Sequence, residues 1–88
     1  MNLTYTREAR DRIRSLPPEI KREIKQAMEA LGEDPYLGKP LRRELTGFWS
    51  FRVRNFWILY RQSADEKNLI IVTLGRRELI YDDLLKTS

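Results

Sequence analysis

The chain contains no cysteine and no histidine. The first absence rules out a disulfide framework and a thiolate metal site. The second removes the usual general base near neutral pH and the usual metal ligand. No apolar run approaches the roughly 20 residues that span a bilayer. The opening segment MNLTYTREAR has no apolar signal-peptide core. The expectation is therefore a cytoplasmic location, no membrane partner, no metal and no cofactor. Repeats and low-complexity segments are also missing, so residues 1–88 are read as a single domain.

What is present is a modest core and an uneven charge. The 88 residues are 41% hydrophobic, which is enough for one small core, to whose stability a partner can add. Residues 1–38 carry seven Lys/Arg against seven Asp/Glu, and residues 39–88 carry ten against six, so the second stretch holds the whole net charge of +4. A localised basic excess is the electrostatic footprint of a polyanion binder, although a high pI also occurs without one.

Hydrophobic spacing organises the first half into a strand and two helices. Asn2–Tyr5 has strand character, with Leu3 and Tyr5 on one side. Thr6 stands where an N-cap belongs, Glu8 falls in the first turn, and Ala9, Ile13 and Leu16 follow at helical spacing. Pro17-Pro18 ends that helix and opens the next, because proline suits a first turn and not a helix interior. Ile20, Ile24, Ala27, Met28 and Leu31 form the stripe of the second helix, and Gly32 is expected to stop it. The apolar seam of this hairpin is read as packing on a sheet, with a partner-binding groove as the other reading.

The second half alternates with a period of two. Trp49, Phe51 and Val53 interleave with Ser50, Arg52 and Arg54. A two-residue turn at Arg54-Asn55 would pair Val53 with Phe56, Phe51 with Ile58 and Trp49 with Tyr60; Asn55 suits a positive φ and Arg54 suits it less, so a slightly longer turn is the alternative. That register leaves Ser50, Arg52, Trp57, Leu59 and Arg61 on the opposite face. Leu69 to Leu74 is nearly all apolar and reads as a mid-sheet strand buried on both faces. The expected architecture is α+β, in the order β-α-α-β-β-β. A two-helix hairpin packs on a four-stranded, mainly antiparallel sheet with the first strand beside the last, and Tyr81 to Leu85 forms a short C-terminal helix or tail.

The open face then gathers a constellation. Arg52, Trp57 and Arg61 lie on it and Arg54 sits at the hairpin tip. Arg76, Arg77 and Tyr81 arrive from the end of the last strand, and Lys39, Arg42 and Arg43 lie in the loop before the sheet. Arginine grips phosphate oxygens with a planar fork, and a tryptophan beside it can stack an unpaired base. A solvated basic face with Trp57 in a minor second core is the plainer reading. For RNA cleavage, Arg52 and Arg77 can stabilise the charged transition state. Tyr81 is the proton-transfer candidate if the arginines lower its pKa from about 10, with Glu44 a weaker base.

These residues also carry a resemblance. Gly38-Lys39-Pro40-Leu41, Leu45-Thr46-Gly47-Phe48-Trp49-Ser50, Phe51-Arg52-Val53, Ile58-Leu59-Tyr60 and Gly75-Arg76-Arg77 followed by Tyr81 resemble, in order, toxins of the RelE/ParE superfamily from type II toxin–antitoxin modules. The resemblance implies a RelE-like fold and a metal-independent endoribonuclease that cuts mRNA in the ribosome and so inhibits translation. It also implies a cognate antitoxin as partner. It assigns catalytic roles to Arg52, Arg77 and Tyr81, and RNA binding to Lys39, Arg54, Trp57, Arg61 and Arg76. The chain departs from the pattern at Trp57, where the family commonly has arginine, and at Arg76, where many members have histidine. It departs again at Arg54-Asn55, where glycine is usual. ParE-like relatives share the fold and inhibit DNA gyrase, so two alternatives stand beside the nuclease: a gyrase-directed toxin and a catalytically weakened RNA-binding member.

Overall fold

The computed structural model describes residues 1–76. The expected C-terminal helix and the candidates Arg77 and Tyr81 lie outside the described residues. Strand β1 (Asn2–Tyr5) is followed by helices α1 (Arg7–Arg14) and α2 (Pro18–Glu33). A two-residue strand β2 (Lys39–Pro40) and a short 3-10 turn (Arg43–Leu45) lead to strands β3 (Trp49–Val53), β4 (Phe56–Gln62) and β5 (Asn68–Arg76). One mixed sheet runs β1-β5-β4-β3-β2, with β1 parallel to β5 and every other pair antiparallel. The α+β architecture and the place of the first strand beside the last are as expected. The sheet has five strands rather than four, because two residues, one of them proline, show no alternation to read. No helix among the described residues is long and apolar enough to cross a membrane.

Local chemistry accounts for the helix ends. Thr6 caps α1 by accepting the Ala9 N–H at 3.1 Å. Its hydroxyl also donates to the Val72 carbonyl, and its own N–H donates to Ile71 at 3.1 Å, so the cap bolts the helix start to β5. Gly32 is not the stop. Helix α2 runs on to Glu33 and ends at Asp34, whose backbone is extended (φ −140°). Gly32 is instead buried beside the start of the chain: its carbonyl accepts from the Met1 ammonium at 2.8 Å, and an added Cβ would lie 3.4 Å from the Met1 carbonyl. That is ordinary contact distance, so the position has room for a Cβ.

The core lies between the helices and one sheet face. Ala9, Ile24, Met28 and Leu31 meet Ile58, Tyr60, Leu69, Ile71 and Leu74, all essentially inaccessible. The β3–β4 register is the expected one, Val53 opposite Phe56, Phe51 opposite Ile58 and Trp49 opposite Tyr60. At the hairpin tip it is Arg54, not Asn55, that takes the left-handed backbone (φ 54°). Strand β5 corrects a second expectation. Leu59 pairs with Thr73 but Tyr60 pairs with Ile71, so Val72 bulges out of the ladder. The bulge shifts the alternation by one residue. It lets Leu69 and Ile71 share the core face with Leu74, and it leaves Ile70 and Val72 only half-buried. The run is apolar because its parity changes partway, not because both faces are fully buried. The Thr6 hydroxyl then satisfies the carbonyl that the bulge displaces.

Candidate nucleic-acid interface

Register determines which side chains share the face turned away from the helices. Lys39 stands opposite Ser50, Ser50 opposite Leu59, and Leu59 opposite Thr73. Arg52 stands opposite Trp57, Trp57 opposite Gly75, and Arg61 opposite Ile70. Lys39, Arg52 and Arg61 are exposed and Trp57 is half-buried. Ser50 and Leu59 are not displayed as the alternation suggested; with Thr73 they are buried at the centre of this face. The result is a small closed patch ringed by three cations and an indole.

Arg52 is held in place from two sides. Its Nε donates to the Arg54 carbonyl at 2.8 Å, and its Cζ lies 6.0 Å from the Trp57 ring centre, at the outer range of a cation–π contact. Binding the carbonyl through Nε orients the guanidinium while leaving its Nη edge as the side suited to a two-point phosphate contact. An arginine oriented this way can hold a phosphate while the adjacent indole stacks a base, with Lys39 and Arg61 further along the same face.

The other basic candidates go elsewhere. Arg54 reaches to the helix side and engages Glu23 of α2 fork to fork, with Nε 2.6 Å from Oε2 and Nη2 2.7 Å from Oε1. The pair ties the hairpin tip to the helix layer and holds Arg54 against the strain of its left-handed backbone, which for a residue with a Cβ is about 1–2 kcal/mol. Arg76 pairs with Phe56, which turns it to the helix side, where it lines a cleft with Arg12, Leu16 and Phe56. Arg42 and Arg43 are exposed in the loop before β3, as is Glu44 in the 3-10 turn. Of the expected site, the fold thus gathers Lys39, Arg52, Trp57 and Arg61 on one face and places Arg54 and Arg76 off it.

Two features of this region escaped sequence reading. The Thr73 hydroxyl is buried without a hydrogen-bond partner among the described residues. Nothing in the run LIIVTL marks it, because only the Val72 bulge decides which way it points. The other feature is the anchoring of Lys39. The buried Tyr60 hydroxyl accepts the Gly38 N–H at 3.0 Å and donates to the Pro35 carbonyl at 2.8 Å. Burial raises the Tyr60 pKa above its ordinary 10.0, and the nearby Asp34 charge adds to the rise while the Gly38 bond opposes it, so the phenol keeps the proton it donates. The Gly38-Lys39-Pro40 motif carried the signal, but not its partner 22 residues away.

The comparisons with known proteins agree on the kind of molecule. A family model described as ParE toxin of type II toxin-antitoxin system, parDE, matches residues 3–81. A toxin of Mycobacterium tuberculosis, RelG, is 35% identical over 79 residues, which cover 88% of this chain and 91% of that one. Among solved structures, the toxin–antitoxin complex RelBE2 of M. tuberculosis contains a chain that superposes with a TM-score of 0.77 at 33% identity, covering 86% of this chain and 96% of that one. The isolated E. coli RelE toxin superposes with a TM-score of 0.74 over 98% of this chain and 96% of its own; at 15% identity, that likeness is one of fold.

Proposed function

This chain belongs to the RelE/ParE superfamily and is a toxin of a type II toxin–antitoxin system, and from that premise we propose that it cleaves mRNA on the ribosome without a metal ion. The observation that carries this reading is that Lys39, Arg52, Trp57 and Arg61 border one buried patch on the same sheet face. Single-stranded RNA is bound by such a combination of cations along the backbone and an aromatic plane for a base.

In the proposed mechanism the RNA supplies its own nucleophile, the 2′-hydroxyl beside the scissile phosphate. Tyr81, as the phenolate, takes the 2′-hydroxyl proton as that oxygen attacks phosphorus to form a crowded, doubly charged phosphorane. The bond to the 5′-oxygen then breaks as Tyr81 returns the proton to it, leaving a 2′,3′-cyclic phosphate and a 5′-hydroxyl end. Arg52 faces the phosphate and stabilises the added negative charge. Arg77 is the second cation and Tyr81 the proton-transfer group, both from the segment that follows β5. Lys39, Trp57 and Arg61 hold the flanking nucleotides. Arg76, turned to the helix side, takes no direct part, and Arg54 contributes by fixing the hairpin that carries Arg52. The toxin would act in the cytoplasm on translating ribosomes. A cognate antitoxin would neutralise it, in keeping with the toxin–antitoxin complex among its structural relatives.

The test is controlled expression followed by mapping of 5′ ends across cellular mRNA. Codon-phased cuts are expected, and Arg77→Ala should abolish both cuts and growth arrest while thermal unfolding stays unchanged. Growth arrest with intact mRNA and DNA damage would replace this reading with gyrase inhibition. No arrest at all would leave an RNA-binding protein without cleavage.

A further inference from the structure

We infer that Tyr60 is the positioning residue for the RNA contact at Lys39, acting from the opposite side of the sheet. Tyr60 is fully buried on the core face, yet its hydroxyl ends under the turn that precedes β2. It takes the Gly38 N–H and gives its proton to Pro35, so a single group grips the turn at two points three residues apart. The turn is closed from within by Asp34, whose carboxylate accepts the Tyr36 N–H at 3.0 Å and whose carbonyl accepts the Leu37 N–H at 3.3 Å. Trp49 packs beside the Tyr60 ring at 6.4 Å and meets Tyr36 edge-on at 5.5 Å, which seats the ring under the turn.

Gly38 shows how closely the grip is fitted. A Cβ there would collide with the Tyr60 hydroxyl and with the Ser50 carbonyl. Only glycine lets the backbone lie on both, and the next residue is Lys39, paired with Ser50 at the sheet edge. Strand β2 is two residues long and the second is proline, which lacks an N–H. So short a strand makes few ladder bonds of its own; the Leu41 N–H, donating to the Phe48 carbonyl at 2.8 Å, holds its far end, and the Tyr60 hydroxyl restrains the Gly38 end. A flexible lysine is a point charge that gains from a fixed backbone, because less freedom is lost when it meets a phosphate.

The inference rests on the RNA-binding reading of the opposite face, and the experiment separates the two. Tyr60→Phe retains the ring and removes the hydroxyl. Amide hydrogen exchange at Gly38 in the full-length chain should accelerate, a readout that needs no RNA. Binding of a single-stranded RNA oligonucleotide should then lose about one phosphate contact, so that log K against log salt flattens by about 0.7. Lys39→Ala should flatten it equally, and the double variant no further. Gly38→Ala, which pushes the turn off an intact Tyr60, should reproduce the flattening if Tyr60→Phe folds poorly. A merely structural tyrosine would lower stability without moving the salt slope. Unchanged Gly38 exchange in Tyr60→Phe, or a wild-type slope in that variant while Lys39→Ala flattens it, would overturn the inference alone. A wild-type chain with no salt-dependent RNA binding would overturn the RNA reading and the inference with it.

Discussion

The two faces of the sheet bury side chains to different ends. Toward the helices, Ile58, Tyr60, Leu69, Ile71 and Leu74 are closed off by Ala9, Ile24, Met28 and Leu31. On the other side Ser50, Leu59 and Thr73 are nearly as inaccessible, but their neighbours are Lys39, Arg52, Trp57 and Arg61, and one of their hydroxyls has no partner among the described residues. The first face is contiguous and apolar, so its burial supplies most of the stability that a chain of this size has. The second mixes charge with a small closed centre, which suits contact with a charged partner better than packing. Stability and function should therefore be separable by face.

The largest effect is expected from breaking the core face. Ile58→Ala removes a fully buried side chain and should destabilise the protein by about 2–5 kcal/mol in chemical denaturation. Its counterpart on the same hairpin, Arg52→Ala, should leave stability within about 0.5 kcal/mol while weakening RNA binding and toxicity. If the two variants lost stability equally, the division between faces would not hold. A smaller effect sharpens the same contrast. Thr73→Val replaces an unpaired buried hydroxyl with a methyl group and should stabilise the protein by about 1 kcal/mol. A clear loss instead would show that the hydroxyl has a partner in solution.

The smallest effect lies at alkaline pH. The raised pKa of Tyr60 means that the folded state holds this proton more tightly than the unfolded chain. The corresponding stability is complete below pH 10.0 and is lost as pH rises through the folded value. Tyr5 is also raised, first by burial and then by Glu29, and contributes in the same direction. Wild type should therefore lose stability above pH 10 more steeply than Tyr60→Phe, which keeps the Tyr5 share. Equal slopes for the two proteins would place the Tyr60 phenol in contact with solvent.

How much of this was legible depended on distance along the chain. The β3–β4 register could be read because Trp49, Phe51 and Val53 alternate with Ser50 and Arg52, and the partner strand follows directly. The Thr6 cap and the stripe of α2 were legible for the same reason, since each needs only residues three or four apart. Gly32 misled because a glycine late in a helix usually marks a stop, whereas α2 continues one residue beyond it. Arg54 misled because Glu23 lies 31 residues away.

The sequence by itself determined the α+β order, the hairpin and the basic excess beyond residue 38, because periodicity and charge are properties of neighbouring residues. It also placed Arg52, Trp57 and Arg61 together, since strand parity alone puts them on one face. Only the tertiary structure decided the rest. It revealed the Val72 bulge that turns Thr73 inward, the Glu23 clamp that takes Arg54 from the site, and the Tyr60 grip beneath Gly38. Each of these depends on a hydrogen bond or a strand pairing between segments that meet only after the chain has folded.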